Sequence, residues 1–236
     1  MRRSLSLLFA LLVLALAACG DDDDAGSAGS GDETASKTEE QAQPEQTGGC
    51  QEVAAPEPRP DGGAEQRKKP LAPGRKYDVV LTTSCGEFTF RLDQKSSPKT
   101  AASFAGLVES GFFDGTSFHR IVPGFVIQGG DPTGTGSGGP GYSTRDVPAA
   151  GTTYLRGTVA MAKTGAEPPG TAGSQFFVVT GADAGLPPDY AVIGRVTEGE
   201  DVVEAIAEQG DPASGGTGIP LQPVVIEKAT LESSGG

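Results

Sequence analysis

The chain has 236 residues, with 31 acidic against 18 basic side chains, a formal net charge of −13, one histidine and three cysteines. An acidic balance of this size argues against nucleic acid as a partner. A lone histidine without clustered cysteines excludes the multi-histidine and thiolate metal sites, and no cofactor is expected.

At the N-terminus, Arg2 and Arg3 precede an apolar run from Leu5 to Ala17 that is short for a bilayer span. It closes on Leu16-Ala17-Ala18-Cys19, which looks like a bacterial lipobox. Residues 1–18 are therefore read as a lipoprotein signal peptide, with Cys19 as the lipidated first residue of the mature chain. The competing readings are an ordinary signal peptide and a membrane helix. Residues 19–75 are expected to form a disordered acidic tether, because large apolar residues are nearly absent and little surface is left to bury. This arrangement implies a protein held outside the cytoplasm on the bacterial cell membrane through the lipid on Cys19. With Cys19 acylated, Cys50 and Cys85 remain as an even pair in an oxidising compartment. A disulfide between them is expected to staple the tether to the first hairpin, with two free thiols as the alternative.

Residues 76–232 have the composition of one folded domain, and residues 233–236 are read as a flexible tail. Asp78–Thr83 and Glu87–Leu92 flank Ser84-Cys85-Gly86 as a hairpin, with Phe88, Phe90 and Leu92 on one buried face. Ser97 followed by Pro98 predicts a helix start, Ser as cap, and Gly111 its stop. Between them, Ala101, Phe104, Ala105, Leu107 and Val108 recur at helical spacing. Short β-rich runs follow at 118–122, 125–128, 158–162, 175–180 and 191–196. A second helix is predicted over 200–208 and a last strand over 223–231. Many short strands with two helices imply a sandwich or a barrel, and periodicity alone leaves both open.

Gly134-Thr135-Gly136-Ser137-Gly138-Gly139 satisfies a dinucleotide fingerprint, yet Pro140-Gly141 follows where a helix would be needed. It is read as a loop. His119 has neither metal partners nor a Gly-x-Ser-x-Gly elbow to serve, so it is read as structural. Two segments resist a purely structural account. In Phe118 to Asp131, Arg120 and Gln128 are polar residues within apolar strands; in Gly173 to Val178, Gln175 precedes Phe176-Phe177. With Phe125 and Phe177, these side chains would make an apolar cup with a polar rim, the usual composition of a small-ligand site.

Phe-His-Arg-Ile-Val-Pro-Gly-Phe-Val-Ile-Gln-Gly-Gly-Asp at 118–131 and Gly-Ser-Gln-Phe-Phe-Val at 173–178 resemble the two signature segments of the cyclophilins. The resemblance runs from about Asp78 to Leu231. It implies a mainly β fold, a closed eight-stranded antiparallel barrel with two capping helices. It also implies peptidyl-prolyl cis-trans isomerase activity on proline-containing polypeptides; a non-catalytic proline-peptide-binding or chaperone-like module is the alternative. A monomer is expected. By the same resemblance Arg120 and Gln128 are the catalytic residues, and Phe125, Val126, Phe177 and Leu186 wall a proline pocket. Gln175 helps orient the substrate, and Ala162 and Lys163 lie on the strand whose backbone pairs with it. Three positions depart from the family pattern. Tyr190 replaces a pocket histidine and Lys163 an asparagine. Gly185 stands where cyclosporin-sensitive members carry tryptophan, which implies weak cyclosporin binding.

Overall fold

The computed structural model describes residues 49–235. The expected signal peptide, the expected lipidation site Cys19 and the first part of the expected tether lie outside the described residues. Strands β1 (Arg75–Thr83) and β2 (Gly86–Leu92) form an antiparallel hairpin around Ser84-Cys85. Phe88, Phe90 and Leu92 are all buried on its inner face, as alternation along a strand requires.

Helix α1 (Pro98–Glu109) starts at a proline, whose fixed φ and missing N–H suit the first helical position. Ser97 stands at the cap position, but its side chain makes no capping hydrogen bond. The free N–H of Thr100 instead donates to the Asp146 carboxylate at 2.7 Å, from a loop distant in sequence. Local pattern located the helix boundary and the cap position correctly, while the capping bond itself comes from Asp146. Gly111, at φ 70°, takes the left-handed conformation that ends the helical region.

The chain continues through β3 (Thr116–Ser117), β4 (Arg120–Val122), β5 (Val126–Gly129), β6 (Thr144–Arg145), β7 (Thr158–Met161), β8 (Thr171–Ala172), β9 (Phe176–Val179) and β10 (Val192–Glu198). Helix α2 (Glu200–Ala207), a 3₁₀ segment (Pro212–Thr217) and β11 (Val225–Gly235) complete it. Nine strands join one antiparallel sheet in the order β3-β11-β1-β2-β10-β7-β9-β5-β4, and β6 pairs with β8 apart from it.

This corrects the expectation of a closed eight-stranded barrel: the sheet is a strongly curled, nine-stranded half-barrel. Its two edge strands, β3 and β4, are consecutive in the chain, with only Phe118 and His119 between them. Phe118 turns into the core and donates its N–H to the Val224 carbonyl at 2.9 Å, beside β11. Ile121 donates to the Gly218 carbonyl at 2.7 Å, so β4 meets the end of the 3₁₀ segment rather than β3. The edges are joined by covalent chain, without a ladder.

The concave side holds the main core. Phe104 stacks on Phe113 at 4.6 Å, and Phe176 meets Phe90, Phe104, Phe113 and Phe118 at 5.4–6.5 Å. In β5, β7 and β9, Ile127, Val159, Met161, Phe176 and Val178 point into this core. Their neighbours Val126, Ala160, Phe177 and Val179 point the other way and are buried as well, in a second cluster. A sheet region covered on both faces reads as a continuous apolar run. That second cluster is where the site lies.

The expected domain limits also shift. From Cys50 onward the supposed tether lies along the domain: a disulfide joins Cys50 to Cys85, Gln51 donates its N–H to the Ser84 carbonyl at 2.7 Å, and Leu71 is buried. Closing a loop over the 35-residue separation contributes about 4 kcal/mol in the chain-entropy account. At the other end β11 runs on to Gly235, which pairs with Arg75, so residues 233–235 belong to the sheet.

Replacing Asp146 by alanine removes the donor-satisfying group of α1 and should lower stability by about 1 kcal/mol in urea denaturation. Ser97→Ala should cost less, because no capping bond is lost.

Candidate active site

β4 and β5 pair so that Arg120 lies directly opposite Gln128, and β5 pairs with β9 so that Gln128 lies opposite Phe177. Register alone therefore sets the cation, the amide and the aromatic ring side by side. Arg120 Nη1 donates to Gln128 Oε1 at 3.4 Å, and Gln128 Nε2 donates to Gln175 Oε1 at 3.0 Å. Gln175 Nε2 in turn donates to the Gly136 and Gly138 carbonyls at 3.0 and 2.9 Å. The second hand on the guanidinium is the Gly216 carbonyl, which accepts from Nη2 at 3.0 Å. A Cβ at Gly218, where φ is 70°, would lie 2.8 Å from Arg120 Cγ, so the loop reaches the arginine only as glycine.

Arg120 is half-buried, and among the described residues no carboxylate pairs with it. Burial pushes its pKa down, and Tyr190 offsets part of that. The guanidinium sits over the Phe125 ring, 5.8 Å from its centroid, a cation–π geometry. It is held entirely by neutral groups and so remains available to an incoming acceptor.

Beside it lies the second apolar cluster. Val126 and Phe177 form its floor, and Phe125, Leu186 and Tyr190 pack around it partly exposed. Tyr190 meets Phe177 edge-on at 5.6 Å, and Lys163 Nζ lies 5.4 Å from the Tyr190 ring centroid. Tyr154, which the motifs did not single out, is fully buried beneath the site. Its hydroxyl accepts from the Tyr190 N–H at 2.9 Å and donates to the Tyr190 carbonyl at 2.8 Å. It thereby fixes the backbone of the residue that closes the pocket. Ala160 completes the floor. Tyr154 lies outside every periodic run, and only its being a large aromatic between Gly151 and Gly157 set it apart in the sequence.

Ala162 and Lys163 follow β7 at the rim, and they differ. The Ala162 N–H already donates to the Gln175 carbonyl at 2.9 Å. The Lys163 backbone N–H and carbonyl make no hydrogen bond among the described residues and stand free to pair with an extended peptide. Gly185 is exposed, and a Cβ there would meet nothing within 4 Å, so this side of the pocket is open. A cleft of about 560 Å³ adjoins the pocket, lined among others by Gln128, Gln175, Ala162, Lys163 and Asp61.

The glycine-rich loop has a structural job. Asp131 is buried, and Thr133 donates to it from both N–H and hydroxyl at 2.7 and 2.9 Å, with Gly136 N–H adding a third bond. Burial alone would raise the Asp131 pKa; the Thr133, Gly138 and Gly136 donors outweigh it and hold the carboxyl below its ordinary value. The nest that in other settings holds a phosphate here holds the chain's own carboxylate. His119 packs against this loop, its pKa lowered chiefly by burial, and its ring nitrogens find no partner among the described residues. Among those residues, no group of three or more His, Cys, Asp or Glu is placed to hold a metal ion.

The strands that carry the pocket, the rim and the arginine lie within the reach of a known family. A model of the "Cyclophilin type peptidyl-prolyl cis-trans isomerase/CLD" family matches residues 78–231. The chain belongs to this family. It is 40% identical over 171 residues to peptidyl-prolyl cis-trans isomerase A of Mycobacterium tuberculosis strain H37Rv, covering 65% of this chain and 91% of that one. It is 40% identical over 176 residues to peptidyl-prolyl cis-trans isomerase B of Streptomyces anulatus, covering 66% and 96%. Among solved structures it resembles a Cryptosporidium parvum cyclophilin type peptidyl-prolyl cis-trans isomerase, with TM-score 0.60 and 31% identity over 67% of this chain and 99% of that one. The cyclophilin match ends short of both termini, so the disulfide-linked segment before residue 75 is an addition to the matched region.

Tyr154→Phe leaves the Tyr190 N–H and carbonyl without their shared partner. It should lower stability by about 1–3 kcal/mol in thermal or urea unfolding. It should also raise KM for an X-Pro peptide, since the ring of Tyr190 loses its anchor.

Proposed function

We propose that this cyclophilin accelerates X–Pro rotation in exported polypeptides from a lipid-anchored position outside the cytoplasm, with Arg120 as its catalytic group. The chemistry needs no nucleophile or metal. Rotation is opposed by amide resonance, a barrier of about 18–20 kcal/mol, and no covalent bond is made or broken. Catalysis requires an interaction stronger in the twisted imide than in either planar form. When conjugation breaks, the proline nitrogen recovers lone-pair character and becomes an acceptor. A guanidinium donating there stabilises only the twisted state.

The observation that carries this reading is the placement of Arg120: a cation with no carboxylate partner among the described residues, at the lip of an apolar pocket. In the proposed pose the proline ring lies against Phe125, Val126, Phe177 and Leu186. The peptide pairs with the free backbone of Lys163, Gln128 and Gln175 orient it, and the carbonyl before proline swings past Arg120. The amide of Gln128 holds the guanidinium without neutralising it. Lysine would not substitute, because it lacks the planar fork that can serve Gln128, Gly216 and the substrate together.

Arg120→Ala should lower kcat/KM by about 10²–10³-fold, the scale seen on removing a preorganised transition-state donor. Arg120→Lys should recover little of it. The measurement is a protease-coupled assay on a short X-Pro peptide, with circular dichroism to confirm the fold. A near-native rate in Arg120→Ala would remove the assignment, and a wild-type protein that only binds the peptide would favour the non-catalytic module.

The anchoring reading rests on the lipobox-like Leu16-Ala17-Ala18-Cys19 and on the acidic stretch that follows it. Two or three acyl chains on Cys19 would hold the protein stably, at about 0.8 kcal/mol per buried methylene. In a bacterial host, the full chain should partition into the detergent phase of a Triton X-114 extraction and incorporate labelled palmitate. Cys19→Ser should lose both properties.

A further inference from the structure

The segment Arg59–Ala64 lies before the family-matched region, which starts at residue 78, and yet it ends on the active-site loop. The Arg59 N–H donates to the Pro132 carbonyl at 2.8 Å, and its guanidinium lies over the Phe112 ring, 5.7 Å from the centroid. Asp61 Oδ1 accepts from the Gly139 N–H at 2.8 Å. The Gly62 N–H donates to the Gly139 carbonyl at 3.0 Å, and the Ala64 N–H to the Pro140 carbonyl at 3.1 Å. The contact is close: a Cβ on Gly141 would lie 3.0 Å from Gly62 Cα and 3.1 Å from Gly63 N.

The loop so gripped is the one whose Gly136 and Gly138 carbonyls hold the Gln175 amide. Gln175 holds Gln128, and Gln128 holds Arg120. One path of hydrogen bonds therefore runs from the strap to the guanidinium. The strap's other end is fixed by the Cys50–Cys85 disulfide and by the Gln51 N–H on the Ser84 carbonyl. A loop this rich in glycine has a large conformational entropy to lose, and the strap removes part of that freedom before substrate arrives.

We infer that Arg59–Ala64 is a positioning arm of the isomerase site, with Asp61 and the Ala64 N–H as its grips on the Gly139-Pro140 corner. The inference rests on the isomerase reading and adds to it residues that lie before the matched region. The arm acts on geometry, so it bears on kcat more than on KM. Its grip by Asp61 is a hydrogen bond to a backbone N–H, which a neutral amide can also accept.

The test compares the full chain with Asp61→Ala/Ala64→Pro, which removes two grips without altering the loop itself, and with Asp61→Asn. Assays run well below the unfolding temperature of each protein, and ¹⁵N spectra follow the Gln175 side-chain amide. The double variant should show kcat lowered about fivefold or more with KM little changed. Its Gln175 amide resonances should move, while Asp61→Asn keeps wild-type values of both. An unchanged kcat and unchanged Gln175 resonances in the double variant would overturn the inference, even with a lower unfolding temperature. Asp61→Asn behaving like the double variant would overturn it also. Should the double variant not fold, Asp61→Ala alone carries the same comparison. If wild type fails to exceed the spontaneous rate, the isomerase reading falls, and the Gln175 resonances still decide whether the arm braces the loop.

Discussion

The site turns on keeping one arginine charged, half-buried and, among the described residues, without a carboxylate. A guanidinium in that state is costly, because desolvation is not offset by a counter-ion. A carboxylate partner would remove the cost and, with it, the capacity to respond to a developing lone pair. The chain resolves this with neutral acceptors. Gln128 Oε1 and the Gly216 carbonyl orient the two ends of the fork, and the Phe125 ring faces it. Each acceptor satisfies a donor without cancelling the charge. Preorganisation of this kind counts for most in a site that excludes water, as the apolar cluster beside Arg120 does.

Neutral acceptors hold a cation weakly, so they must be fixed from elsewhere. Gln128 is fixed by Gln175, Gln175 by two loop carbonyls, and the loop by its own buried Asp131. The glycines that suggested a nucleotide loop are needed for a different reason. They let backbone N–H groups converge on Asp131 while carbonyls of the same loop turn outward to Gln175. The open edge of the sheet serves the same end: because β4 does not pair with β3, its outer side is free to meet the 3₁₀ segment, whose Gly216 carbonyl reaches Arg120. In a fully closed ladder that position would belong to another strand.

Much of this could be read in the residues, and the division is physical. The β1–β2 hairpin, the bounds of α1 and α2 and the short β-rich runs follow from alternation, helical spacing and the punctuation of proline and glycine, which act over a few residues. Arg120, Gln128 and Phe177 stood out because polar or aromatic residues interrupt strand patterns, and strand register then brought them together. Three features escaped. The capping bond of α1 is made by Asp146, a contact of tertiary folding that is invisible to a local rule. Tyr154 has no periodic neighbours, and its importance lies in one hydroxyl shared with the Tyr190 backbone. The stretch after Cys50 has the composition of a tether, and a few hydrogen bonds with one disulfide hold it in place where burial alone would not.

That last case shows what holds a segment poor in apolar residues in place. A strap that contributes little apolar surface cannot order itself by the hydrophobic effect, and only Leu71 among its residues is buried. Its order derives from the Cys50–Cys85 link at one end and from β1 at the other, where Arg75 begins the pairing with β11. Fixing both ends lowers the entropy that each intervening backbone bond must overcome, so weak exposed bonds such as Asp61 to Gly139 persist.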